Sequence, residues 1–175
     1  PDELVRKVLA VASPARPPHV EVRTDLACRH LWLRGNEIQL SQMLLNLILN
    51  AYHAMEPGGG TLTVATRPEG EFLCFQVSDT GSGIAPEDLP HIFERFYRGG
   101  QGAETTDGAQ VDPVGGDLGR PWASDDGSDV RQAAGFGIGL SLAQALVSAQ
   151  GGTLRASNNP AGGAHFEIAF PKLVV

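Results

Sequence analysis

"NEIQLSQMLLNLILNAYHAM", residues 36 to 55, carries apolar residues at Leu40, Leu44, Leu47, Ile48, Ala51 and Met55, the spacing of one buried helix face. Asn36 stands where an N-cap belongs, and "PGGG" at 57 to 60 stops the run. On the other side Asn46 and Asn50, four residues apart, lie one above the other, and His53 joins them at the next turn. Asparagine is a poor interior helix residue because its amide competes for backbone hydrogen bonds. One reading of the pair is a solvated polar stripe. The other is a set of hard, neutral amide oxygens suited to Mg2+, which keeps part of its shell for water and phosphate. Spacing alone does not choose between them.

Working outward, "DELVRKVLAVAS" at 2 to 13 has helical spacing and ends at Pro14, Pro17 and Pro18. "HVEVRTDL" (19 to 26) and "LWLRG" (31 to 35) read as short strands around the turn-like "ACRH". "TLTVATR" and "EFLCFQVSD" form a hairpin joined by Pro68, Glu69 and Gly70. Pro86, Glu87 and Asp88 make a good first helical turn into "LPHIFERFYRGG". Residues 99 to 134, rich in Gly, Asp, Ser and Ala, read as a long mobile loop. A glycine cluster then opens a third helix in "GFGIGLSLAQALVSAQGG", and "TLRASN" and "HFEIAFP" close the chain as strands. Hairpins without regular strand–helix alternation favour a two-layer α/β (α+β) sandwich, a mixed sheet with helices on one face, over a doubly wound parallel sheet.

At 175 residues and 42% hydrophobic the chain is expected to form one domain, 1–175, with a full core. A formal charge of -7 argues against a nucleic-acid footprint, and a polyanion would have to be neutralised locally by metal, helix termini or a few arginines. Cys28 and Cys74 lack metal-ligand spacing and read as reduced structural thiols. No apolar run reaches the roughly 18 residues that would span a bilayer, so no direct membrane contact is expected. An opening at Pro1, directly into an amphipathic stretch, looks like a piece of a longer protein.

Two further motifs carry chemistry. In "DTGSGI" (79 to 84) Asp79 can accept from an exocyclic amine, while Gly81 and Gly83 let backbone approach a flat ring; the same residues also make plain turns. In "GFGIGLS" the glycines Gly135, Gly137 and Gly139 can aim backbone N–H groups at phosphate from a positive helix end. A flexible hinge and a dinucleotide fingerprint compete with that reading, and the fingerprint fits badly because a long polar loop, not a strand, precedes the glycines.

Taken in order, "NLILNA", "DTGSGI", "FERFYR" and "GFGIGLS" resemble the N, G1, F and G2 boxes of the catalytic ATP-binding domain of sensor histidine kinases, and "GGTL" and "GGAHFEIAFP" resemble its closing strands. The resemblance covers nearly the whole chain. It implies the Bergerat-type ATP fold shared with gyrase, Hsp90 and MutL relatives. It gives Asn50 the Mg2+ ion, Asn46 a supporting catalytic role, and Asp79 the adenine amino group. Gly81 and Gly83 would make room for the base, Ile84 and Leu140 would touch it, and Gly135, Gly137 and Gly139 would hinge the lid and cradle phosphates. Arg98 matches a lid arginine that reaches the terminal phosphate.

The match frays in three places. His53 stands where many members have a phosphate-contacting Lys, His165 falls where a small hydroxyl residue is common, and the lid insertion at 99–134 is long and acidic. No histidine here lies in the family's phosphoacceptor motif, so the resemblance implies a separate dimerisation and phosphotransfer domain, in cis or trans, and a response regulator beyond it. It places the domain in the cytoplasm, with any membrane anchor elsewhere in the full-length protein. A degenerate regulatory nucleotide-binding module and another ATPase of the same fold are the alternatives; the latter usually carries Glu where Asn46 stands. Limited proteolysis of the free domain should cut first within 99–134, with ATP protecting only the flanks. Uniform resistance would contradict the loop reading.

Overall fold

The computed structural model describes residues 1–56, 58–97, 138–160 and 162–173. Helix α1 (Asp2–Ala12) runs into a short 3-10 turn at Ser13–Ala15, and strand β1 (Val20–Leu26) follows. Helix α2 (Glu37–Met55) leads to the hairpin β2 (Gly60–Glu69) and β3 (Phe72–Ser78). Helix α3 (Gly139–Ala149), β4 (Thr153–Asn158) and β5 (Ala164–Pro171) complete the chain.

The strands form one sheet in the order β1-β2-β3-β5-β4, with β1 parallel to β2 and every other pair antiparallel. Parallel neighbours need a crossover, and α2 supplies it. Its buried face, Leu40, Met43, Leu44, Leu47, Ile48, Ala51, Tyr52 and Met55, is the expected one widened by Met43 and Tyr52. It shares a core with Leu62, Val64, Leu73, Phe75, Val77, Phe166, Ile168 and Phe170. Phe75 and Phe170 meet edge to face at 6.3 Å. Helix α2 is central, flanked by α1 and α3, and Asn36 caps it by accepting from Gln39 N–H at 3.1 Å. The other sheet face is polar, with Gln76 bonded to Glu167 and Arg67 paired with Asp25.

Three expectations change. "LWLRG" is no strand; Leu33 makes a single bridge to Lys172, and the chain then turns at Gly35 and Asn36, whose N–H donates to Gln150 Oε1 at 2.7 Å. A Cβ at Gly35 would sit 2.6 Å from that oxygen, so these residues seat α2 on α3 and cannot extend a ladder. The hairpin turns at Gly70 and Glu71, with Pro68 inside β2 opposite Leu73. Pro68 lies past the end of β1, where its missing N–H costs no ladder bond. "LPHIFERFYR" forms successive turns up to Tyr97 where a helix is expected. Pro90 disfavours a helical Leu89, Phe96 is left-handed at φ 67°, and Tyr97 folds back to donate to Asp88 Oδ1 at 2.6 Å.

The start of α1 is pinned to the sheet by a buried side chain. Asp2, 3% exposed, accepts from Thr66 Oγ1 at 2.6 Å and Cys28 N–H at 3.1 Å, while Thr66 Oγ1 accepts from Ala27 N–H at 3.0 Å. Thr66→Val keeps the shape and strips two of those bonds, so it should cost about 1–3 kcal/mol in denaturant unfolding. Thr24→Val, on exposed β1, should stay within about 0.5 kcal/mol.

Candidate functional site

The site gathers where the C-terminal half of α2, the segment after β3, the start of α3 and the β4–β5 turn converge. Asn46 is half-buried; its Oδ1 accepts from Gln42 Nε2 at 3.2 Å, and its buried Nδ2 has no hydrogen-bond partner among the described residues. A buried amide left this way costs free energy unless a ligand or water completes it. One turn on, Asn50 meets the first residue of α3: a Cβ at Gly139 would lie 3.7 Å from Asn50 Nδ2 and 3.8 Å from Oδ1. Among the described residues no side chain caps the start of α3, and a helix N-terminus presents its leading N–H groups to an anion. His53 is exposed on the same helix, and its Nδ1 lies 2.7 Å from Leu49 O. Only an N–H can approach a carbonyl so closely, so Nδ1 donates. Nε2 is then the ring nitrogen left to meet a ligand.

Asp79 follows β3 directly and is 2% exposed. Its Oδ1 accepts from Gly81 N–H at 2.8 Å and from Ala164 N–H at 3.2 Å. Burial pushes its pKa above the ordinary 3.8, and the two backbone donors pull it partly back. Gly81 is required by the helix: a Cβ would come 2.6 Å from Ala54 O, the carbonyl that also receives Ser82 N–H. Gly83 is left-handed at φ 73°. Beyond it a cavity of about 610 Å³ is lined by Ser82, Gly83, Ile84, Ala85, Pro86, Asp88 and Ile92, within the size range of small-molecule sites. Ile84 and Leu140 both pack half-buried on the core.

The structure therefore brings Asn50 against Gly139, next to Leu140, at the α2–α3 junction, with Asn46 one turn back on α2, and places Asp79, Gly81, Gly83 and Ile84 in the segment after β3. Arg98, Gly135, Gly137 and the lid at 99–134 lie outside the described residues. His165 does not replace the expected hydroxyl. It sits opposite Ser78 on the polar face, with Nδ1 2.6 Å from Ser78 Oγ, and the residue against Asp79 is Ala164. Strand alternation decides this, since neighbours in β5 point to opposite faces.

Several residues escaped the sequence. Gly163 packs so tightly on Asp79 that a Cβ would fall 2.0 Å from its carbonyl oxygen. Asn158 and Asn159 bond to Ile84 and Asp79, and Thr80 Oγ1 accepts from Thr61 N–H at 2.9 Å. The glycine pair and "NNP" were the only signals, and both also mark an ordinary turn.

The pattern of the family described as "Histidine kinase-, DNA gyrase B-, and HSP90-like ATPase" matches residues 35–174. The chain belongs to this family. Among curated relatives of this histidine kinase-like ATPase domain, it is 32% identical over 155 residues to the sensor-like histidine kinase SenX3 of Mycobacterium tuberculosis, covering 89% of this chain and 31% of the relative. It is 34% identical over 142 residues to the sensor protein SphS of Synechococcus elongatus, covering 81% and 29%. The chain thus spans about a third of the length of the curated relatives it matches. Its fold is that of the mycobacterial sensor histidine kinase MprB, with a TM-score of 0.70 at 21% identity over 99% of this chain and 95% of that one. The catalytic domain of histidine kinase ThkA gives 0.68 at 19% identity, over 98% and 91%. The α1 helix and β1, ahead of the matched span, pack on α2 and pair with β2 of the ATPase domain.

The environment of Asp79 makes a pH dependence specific. The folded chain holds the Asp79 proton more tightly than the unfolded chain, so this group's stabilising contribution is present at low pH and is lost as pH rises through the raised pKa. Asp79→Asn removes the dependence. Without nucleotide, the melting temperature of Asp79→Asn minus that of wild type should become more positive from about pH 4 to about pH 7. A difference that is flat or falls with pH contradicts the assigned burial.

Proposed function

We propose that this chain is the single catalytic nucleotide-binding domain of a sensor histidine kinase, holding ATP so that its terminal phosphoryl group can reach a histidine on a separate helical domain. The observation that carries the reading is the buried Asp79 carboxylate, both of whose donors among the described residues bond to Oδ1. That leaves Oδ2 to accept from the exocyclic amine of adenine, with Ile84 and Leu140 as the apolar contacts of the ring and Gly81 and Gly83 shaping the segment around it. The sensor kinase names of the relatives support the reading, and one structure of this fold is full-length ShkA in complex with AMPPNP, at a TM-score of 0.68 and 25% identity.

The triphosphate end falls to α2 and α3. The residues fit a magnesium ion: amide oxygens are hard neutral donors, Asn50 stands at the opening of α3, and the orphaned Nδ2 of Asn46 is a donor waiting for an acceptor such as a phosphate oxygen. Bound Mg2+ would supply charge neutralisation across the phosphates. Asn50 would hold the metal, Asn46 would orient the phosphate chain, the leading N–H groups of α3 with Gly135, Gly137 and Gly139 would cradle the phosphates, and His53 would add its Nε2 there. Arg98 is assigned to the terminal phosphate on the sequence alone, where a planar guanidinium suits a phosphoryl oxygen. Catalysis is positioning and charge stabilisation, and the domain forms no covalent bond. The partners are the dimerisation and histidine phosphotransfer domain and, downstream, a response regulator. No described helix is long and apolar enough to cross a membrane, and the domain is assigned to the cytoplasmic side of whatever full-length protein carries it.

Calorimetric titration tests the assignment. Asp79→Asn puts an amide N–H against the adenine amine, and ATP affinity should fall by at least about tenfold, about 1.4 kcal/mol, with its Mg2+ dependence intact. Asn50→Ala should lose a similar factor together with the Mg2+ dependence. Wild-type affinity in both variants would refute the site. Transfer of label from ATP to a histidine-bearing helical domain, absent in Asn50→Ala, tests the chemistry.

A further inference from the structure

The turn between β4 and β5 carries two consecutive asparagines with no part in the roles above. Asn158, the last residue of β4, treats Ile84 as a strand neighbour would: its Oδ1 accepts from Ile84 N–H at 2.8 Å and its Nδ2 donates to Ile84 O at 2.6 Å. Left-handed Gly83 lies against the same amide, and a Cβ there would come 3.1 Å from Asn158 Oδ1. Asn159 reaches the other end of the segment, where its Nδ2 donates to Asp79 O at 3.0 Å and Ala164 O at 3.1 Å. Those two residues already exchange bonds, Asp79 N–H to Ala164 O at 3.0 Å and Ala164 N–H to Asp79 Oδ1 at 3.2 Å. One turn therefore fixes both the carboxylate end and the apolar end of residues 79–84.

The residue type matters. A primary amide offers a donor and an acceptor side by side, the pair that a backbone N–H and C=O require. Aspartate at 158 would keep the acceptor for Ile84 N–H and set a second oxygen against Ile84 O. Alanine would release both. Neither change touches α2 or the opening of α3, where the phosphates and metal are assigned.

We propose that Asn158 and Asn159 are positioning residues for adenine selectivity, holding the Asp79 carboxylate and Ile84 at a fixed separation so that the base is read by both at once. The proposal rests on the nucleotide reading above and deepens it. Adenine is distinguished from guanine when an exocyclic amine meets the carboxylate within hydrogen-bond distance, while a carbonyl at the same place is repelled. A segment free to shift loses that discrimination before it loses phosphate and metal binding.

The test is titration of ATP and of GTP, each with and without Mg2+, into wild type, Asn158→Asp, Asn158→Ala and Asn159→Ala, alongside a thermal melt. In Asn158→Asp the ATP affinity should fall about tenfold with little change for GTP, narrowing the selectivity by about the same factor. The Mg2+ dependence should be unchanged. Equal losses for both nucleotides, or no loss, overturn the proposal. If the Asn158 variants do not fold, Asn159→Ala and amide hydrogen exchange in wild type decide: slow exchange at Ile84, slowed further by ATP, supports it, and loop-rate exchange at Ile84 with ATP present overturns it. Wild type that binds no ATP removes the nucleotide reading and this proposal together. Wild type that binds while the asparagine variants match its selectivity removes this proposal alone.

Discussion

A carboxylate taken out of water must be given hydrogen bonds, and at Asp79 both come from backbone N–H groups on either side of it in space. Gly81 N–H is available because the chain turns onto the end of α2, which a side chain at 81 would prevent. Ala164 N–H is available because Gly163 lets β5 start directly against the Asp79 carbonyl. The turn before β5 and the segment after β3 are thus built around one acidic group. Its remaining oxygen is the feature that the rest of the site can use.

The helix layer answers a different demand. Helix α2 crosses between β1 and β2, buries one face in the core and carries Asn46 and Asn50 on the other. Because α3 opens against Asn50, the same packing that closes the core also sets a helix N-terminus beside that amide, with Asn46 one turn back on α2. Core and site therefore share one scaffold. A shift of α2 that weakens packing would also move the amides away from α3.

Much of this was legible in the residues. The α2 period, its Asn36 cap and the strand composition of β2, β3 and β5 are local signals, and α2 formed with its expected buried face. Two amides on one side of a Leu-rich helix are what the sequence offers for the site, and both lie within the span 35–174 that the family pattern matches. What was not legible depended on contacts distant in sequence. The "LWLRG" segment has strand-like composition, yet Gln150, more than a hundred residues away, claims Asn36 N–H and ends it. Pro90 and the left-handed Phe96 overrode a good helical start in the segment after Asp88. The glycines of "DTGSGI" suit the approach of a flat ring by sequence alone, whereas Gly81 answers first to the Ala54 carbonyl. Asn158, Asn159 and Gly163 looked like turn chemistry because turns use the same residues. His165 stands one position past Ala164, the residue against Asp79, and in a strand one position means the opposite face.

Among the described residues the sheet ends in two unpaired edges, β1 and β4. Outermost β1 alternates Glu21, Arg23 and Asp25 along its polar side, with Glu21 and Arg23 paired to each other and Asp25 to Arg67. Outermost β4 is a six-residue strand with Arg155 at its middle. Short, charged borders of this kind discourage another chain from adding a strand and so oppose edge-to-edge aggregation.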